Sequence, residues 1–121
     1  MTEHPARLIT LRSAPFASNA LREGLDVALV AAAFGEPVTL LFAGEGALAL
    51  LKSQQAGAPG QKAVLPTLEM LEMYDIEELL VPESSLVEQG LDAGLLIDAA
   101  RVISESELAA LYQRARDVLH F

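Results

Sequence analysis

The sequence contains no cysteine and few aromatic residues among its 121 amino acids. The missing cysteine excludes disulfide bonds, thiolate zinc sites, iron–sulfur ligation and any cysteine nucleophile. Apolar residues make up 52% of the chain but aromatic ones only 5%, so the interior must be built mainly from Leu, Ala and Val. The chain can carry no thiol-based chemistry of its own.

Basic residues are also scarce: there are 8, against 17 acidic residues, which leaves a formal charge of −9. Such a surface repels phosphates, so we expect this chain not to bind nucleic acid or an anionic membrane directly. Partners that are basic, or that meet the chain through apolar contact, remain open.

Apolar runs long enough to span a membrane are absent as well. The N-terminal "MTEHPARLITLRS" has no charged segment leading into an apolar core, so we expect no signal peptide. No segment approaches the roughly 18 apolar residues that a membrane span needs. We therefore expect a cytoplasmic protein, and the length suits a single domain over 1–121.

Short β-like runs alternate with helical segments along the chain. This order predicts a three-layer α/β/α fold with a mostly parallel five-stranded sheet and right-handed crossovers. A helix capped by Ser18 or Asn19 should end near Phe34, and capping-box spacing of Ser104 and Glu107 should begin the last helix. Strands are predicted over 7–11, 38–44, 78–82, 99–103 and 117–121, and further helices near 46–52, 65–73 and 84–90.

The first helix raises a question of burial. Every residue from Val27 to Phe34 is apolar, whereas a sheet can cover only one side of a helix. We expect another polypeptide to cover the other side, unless the alanines are simply small exposed helix formers. The predicted subunit interface consists of Gly24, Val27, Val30, Ala31 and Phe34.

Gly24 is placed in that interface because a helical glycine costs up to about 1 kcal/mol relative to alanine. Close approach of a neighbouring backbone would be a reason to keep it. On this hypothesis Gly24→Leu disrupts assembly and leaves the isolated fold mostly intact.

A glycine-containing turn follows the second strand, where open parallel sheets tend to bind ligands. Gly44, Gly46 and Ala49 fit a loose G-x-G-x-x-A dinucleotide loop, whose backbone N–H groups would cradle a pyrophosphate. Glu45 opposes this by placing a negative charge where the phosphate would lie. A tight turn that requires small residues explains the pattern better.

Other polar groups form no recognisable catalytic or metal-binding motif. Asp75, Glu77 and Glu78 lack the turn glycine of a calcium loop, so we interpret them as a solvated acidic turn. His4 and His120 have no serine or carboxylate at motif spacing. We expect no catalytic residue, cofactor or metal.

Several segments together resemble the TusC/DsrF family. They are "REGLDVALVAAAFGEPVTLLFAGEGALALLKSQQ" (22–55), "YDIEELLV" (74–81), "SLVEQGL" (85–91) and the terminal "VLHF". The order of R-E-G-L-D and Y-D-I-E is the most specific part, and the similarity covers nearly the whole chain. It implies the DsrE/F-like fold, a five-stranded parallel sheet between helix layers.

The resemblance further implies a role in sulfur relay. In that family TusB-, TusC- and TusD-like subunits form a hetero-hexamer. It receives sulfur from a TusA-like carrier and passes it through TusE towards 2-thiolation of the wobble uridine in tRNA. DsrF, in the related DsrEFH complex, belongs to sulfur oxidation instead, and the sequence does not decide between the two pathways.

The sulfur-carrying cysteine of TusD follows a strand and precedes a short helix that ends in glycine. Matching that arrangement here puts Pro82 in the corresponding place, where there is neither a nucleophile nor an N–H donor. The resemblance thus implies a non-catalytic structural subunit.

Overall fold

The computed structural model describes residues 5–15, 18–52, 65–76 and 78–121, in which strands and helices alternate. The strands lie close to their predicted positions, with ends that differ by at most two residues. They are β1 (Arg7–Leu11), β2 (Val38–Phe42), β3 (Leu79–Pro82), β4 (Ala100–Ile103) and β5 (Asp117–His120). The α-helices are α1 (Ala20–Ala33), α2 (Leu65–Met73), α3 (Glu83–Gln89) and α4 (Glu105–Arg114).

All five strands form one sheet in the order β4-β3-β2-β1-β5, and every neighbouring pair is parallel. Ile9 in β1 is paired with Leu40 in β2 and with Leu119 in β5. The predicted five-stranded parallel sheet is confirmed.

The strand order determines where the helices lie. From β1 to β4 the chain steps across the sheet in one direction, and α4 then returns it to the far edge beside β1. With right-handed crossovers, the first three connections lie on one face and α4 lies on the other. The core accordingly forms two clusters, one containing Leu25, Leu71 and Leu86 from the first three helices, the other containing Leu111 from α4. The three-layer prediction is confirmed.

Local signals set both ends of α1. Of the two predicted capping residues, Ser18 makes the side-chain bond, since its hydroxyl accepts from the Ala20 N–H at 3.2 Å. Asn19 occupies the capping position without a side-chain bond. Gly35 follows the helix with a φ of +81°, a conformation that favours glycine, and so ends it as predicted.

The predicted capping box of α4 is present. The Ser104 hydroxyl accepts from the Glu107 N–H at 3.2 Å, and the Glu107 carboxylate accepts from the Ser104 N–H at 3.2 Å. Leu111 is buried behind it, whereas Tyr112 on the same predicted face is more exposed.

Two short segments differ from the predictions. The short helix predicted over 46–52 is a 3-10 helix that begins and ends two residues earlier, Gly44–Leu50, and a second 3-10 helix, Ala93–Leu95, was not predicted. The predicted surface loop over 53–62 lies outside the described residues. No helix in the described part of the chain is long and apolar enough to cross a membrane.

Arg7 links β1 to the edge strand β5. Its Nε lies 3.0 Å from Asp117 Oδ1, and its Nη1 lies 3.4 Å from Glu36 Oε2. Hydrogen bonds from the Arg7 guanidinium hold the pKa of Asp117 below its usual value. A carboxylate whose pKa is lowered on folding stabilises the fold above its ordinary pKa, and this contribution is lost as the pH falls through the lowered value.

We therefore predict that Asp117→Asn lowers the free energy of unfolding at neutral pH and has progressively less effect as the solution is acidified below about pH 4. Urea unfolding of both proteins at several pH values measures the difference. A difference that stays constant down to about pH 2 would contradict the ion-pair explanation.

Candidate functional site

The carboxyl ends of the parallel strands meet at one edge of the sheet, where ligands bind in many open α/β sheets. The segments after Leu11, Phe42, Pro82 and Ile103 leave the sheet there. The glycine-containing turn that the sequence offered as a possible ligand loop, and for which a tight turn was the better explanation, lies at this edge.

Pro82 is the last residue of β3 and immediately precedes α3. It is buried, and α3 ends at Gly90, which has a φ of +65°. A strand, a short helix and a terminal glycine therefore follow one another as the sequence predicts. Proline offers this position no nucleophilic atom and no N–H donor.

Ser85 connects this position to the turn after β2. Its hydroxyl is buried and accepts a hydrogen bond from the Gly44 N–H at 2.9 Å. No local pattern predicts this bond, because its two partners come from different connections. The bond satisfies a buried hydroxyl and fixes the Gly44 turn against α3.

The turn itself is closed by contacts within the chain. The Gly46 N–H donates to the Ala43 carbonyl at 3.0 Å. A Cβ atom added at Gly46 would overlap the backbone carbonyl of Leu11. With the Gly44 N–H bound to Ser85, two N–H groups of the supposed phosphate loop already have protein acceptors. The geometry favours the tight turn over the dinucleotide loop.

We predict that Gly46→Ala destabilises the protein by about 2 kcal/mol or more, because the backbone of β1 would have to move. Gly94→Ala is the matched control, since Gly94 also lies in a 3-10 helix and an added Cβ meets only Asp92 at 3.8 Å. Denaturant unfolding of both variants checks this. Equal, small effects would contradict the packing role, and a nucleotide-dependent rise in melting temperature would favour the dinucleotide loop.

The apolar segment of α1 is partly covered by the chain itself. Ala28 is buried in the core and Ala31 is also buried, and Val27, Leu29 and Ala32 are packed at the edge of the core. The expectation that one whole side lacks cover is therefore too broad. Val30, Ala33 and Phe34 remain exposed, and Val30 and Phe34 expose 57% and 83% of their surface.

Val30 and Phe34 line an open depression of about 370 Å³ along α1, beside the start of β1. We call the side of the helix that lines it the outer face of α1. Val27 and Ala31 complete its apolar lining, and three charged side chains border it: Arg7, Asp26 and Glu36. Four of the five predicted interface residues thus lie together.

The fifth, Gly24, does not line this depression. It is buried within its own chain. A Cβ atom there would overlap the Leu11 side chain and approach the Phe121 ring at 3.0 Å. Glycine at this point lets α1 pack closely on Leu11 of β1 and on Phe121.

We now predict that Gly24→Leu destabilises the isolated chain by at least about 2 kcal/mol, because the core beneath α1 cannot accommodate the side chain. Thermal or urea unfolding of the chain alone measures the effect. Wild-type stability together with lost assembly would restore the original hypothesis.

The remaining polar candidates do not converge on one site. His120 Nδ1 contacts the hydroxyl of buried Thr10. Glu78 forms an ion pair with Arg101 at 3.0 Å. Within the ranges described above, no group of three or more His, Asp or Glu side chains could hold a metal ion. His4 and Glu77 lie outside the described residues.

Comparison with known proteins gives the same fold and a family. The crystal structure of the ychN protein from E. coli superposes with a TM-score of 0.83 and covers 98% of this chain and all of that one, at 22% identity. The sequence model of the DsrE/DsrF-like family matches residues 7–121. The molecule is thus an α/β protein with an all-parallel five-stranded sheet, and the chain belongs to the DsrE/DsrF-like family.

Relatives within that family carry a more specific name. A protein named TusC homolog from Vibrio parahaemolyticus is 36% identical over 91% of this chain and 93% of its own length. Another protein of that name, from Pseudomonas aeruginosa, is 36% identical over 93% of this chain and 94% of its own. The resemblance noted from the sequence motifs is confirmed.

Proposed function

We propose that this chain is a TusC-like, non-catalytic subunit of a sulfur-relay complex in the cytoplasm. Its partners would be TusB-like and TusD-like subunits in a hetero-hexamer, and TusA-like and TusE-like carriers would bring and remove sulfur. The complex would support 2-thiolation of the wobble uridine in tRNA, without direct contact between this chain and the tRNA.

The observation that carries this proposal is the missing thiol in a chain of the DsrE/DsrF-like family. A persulfide needs a cysteine sulfur, and this sequence has none. Pro82 stands at the strand end where the resemblance places the cysteine of a TusD-like sister. Persulfide chemistry must therefore take place on another subunit.

The outer face of α1 supports a structural role. Complete burial of a valine or phenylalanine side chain contributes about 1.5–3 kcal/mol, and Val30 and Phe34 obtain little of this within the chain. A subunit interface over Val27, Val30, Ala31 and Phe34 would provide the missing cover. The formal charge of −9 also agrees with protein partners rather than tRNA as the direct contact.

A DsrF-like subunit of a sulfur-oxidation complex is the second candidate, since it would share the fold and the missing cysteine. The relatives described above are named TusC homologs, and we place the tRNA pathway first because the resemblance to TusC implies it. A nucleotide-binding module at Gly44–Ala49 is the third, and the closed turn described above disfavours it.

Co-expression of this chain with the TusB-like and TusD-like chains of the same organism tests the proposal. We expect one complex to copurify through a tag on the TusD-like chain and native mass spectrometry to find all three subunits. After incubation with a sulfur-loaded TusA-like carrier, intact mass analysis should detect added sulfur on a sister chain and none on this chain. A complex that forms and transfers sulfur equally well without this chain would refute the proposal.

Two matched variants assess the α1 face. Val30→Asp should remove this chain from the complex, because the substitution puts a carboxylate into an apolar contact. Val87→Asp places the same charge at an exposed valine of α3 and should leave the complex intact. If Val30→Asp and Val87→Asp affect assembly of the complex equally, the interface is not specific to the α1 face.

A further inference from the structure

Carboxylates surround the apolar depression on α1. Asp26 lies one helical turn before Val30 on the same side of the helix, and Glu36 lies beyond its end. Asp26 forms no ion pair with any side chain in the described ranges. The apolar centre therefore has an acidic border.

Among the described residues, Arg7 is the basic side chain that lines the depression, and it does not balance these charges. Arg7 is bound to Glu36 at 3.4 Å and to Asp117 at 3.0 Å, so two carboxylates already compete for one guanidinium. The depression is therefore lined by two carboxylates, Asp26 and Glu36, and by one guanidinium that is hydrogen-bonded inside its own chain. Asp117 does not line it and also lies 3.9 Å from Arg116. The local excess of charge is negative, in the same sense as the whole chain.

This charge pattern discriminates between possible occupants. A second copy of the chain related by a twofold axis would bring the same patch against itself, with Asp26 and Glu36 on both sides. Like charges facing each other across an interface are unfavourable, whereas lysine or arginine opposite them would be attracted and would accelerate association. The surface is complementary to a different protein.

We propose that the outer face of α1 binds a sister subunit through an apolar side chain that enters the depression and is bordered by lysine or arginine, and that it does not pair two copies of this chain. This inference rests on the proposed function, because the sister subunits are the partners assumed there. It adds the chemistry of the partner surface and the choice of a heteromeric contact.

Asp26→Lys tests the charge requirement, since it reverses an exposed charge without removing a described ion pair. Glu88→Lys on α3 is the matched control, because Glu88 is also exposed and helical. The TusB-like and TusD-like chains, purified together, serve as the probe in binding assays at about 50 mM and 500 mM salt. We expect Asp26→Lys to weaken binding at least roughly fivefold at low salt and the effect to shrink at high salt, with Glu88→Lys near wild type.

The outcomes separate the two proposals. If the wild-type chain binds the sister subunits and Asp26→Lys binds equally well, this inference is overturned and the proposed function stands. The same holds if Asp26→Lys and Glu88→Lys weaken binding equally. Wild-type chain that fails to bind the sister subunits at all would overturn both. Light scattering on the isolated chain adds a third arm: a dimer that Val30→Asp dissociates would show that a second copy occupies this face and would overturn the inference.

Discussion

The right-handedness of the crossovers between parallel strands is the constraint on which this structure depends. Because β1 to β4 follow one another across the sheet, their three connections must all lie on one face. The return to β5 places α4 alone on the other face. α1 therefore packs directly over β1 in a crowded layer, where Gly24 allows the close contact with Leu11 and Phe121.

The same constraint decides which side of α1 remains exposed. The helix buries Leu21, Leu25 and Ala28 towards the sheet, and its opposite side cannot turn inward. Val30 and Phe34 thus stay exposed beside the charged group of Arg7, Glu36 and Asp117. On the proposed interface, the apolar side chains would favour burial by a partner protein, and the acidic border would favour a partner with lysine or arginine opposite it.

Sequence patterns predicted those features that depend on residues close together in the chain. The capping box of α4 links residues three positions apart, and Gly35 ends α1 through its own backbone conformation. Contacts between residues distant in the chain were missed. Gly24 was assigned to an interface because nothing near it in the sequence shows that Leu11 and Phe121 lie against it. The complete border of the depression was missed for the same reason, since Arg7 of β1 reaches Glu36 beside α1 only in the fold.

The central claim is that another polypeptide covers the outer face of α1, and the absence of cysteine makes this directly measurable. A single cysteine introduced by Ala33→Cys, next to Val30 on the exposed side of α1, reports access through its rate of maleimide labelling. Ala109→Cys on the exposed side of α4 controls for general effects of assembly. The account predicts rapid labelling of both cysteines in the isolated chain and strong protection of the α1 cysteine alone once the sister subunits are bound. Equal labelling rates at the α1 cysteine in the free chain and in the complex would contradict it.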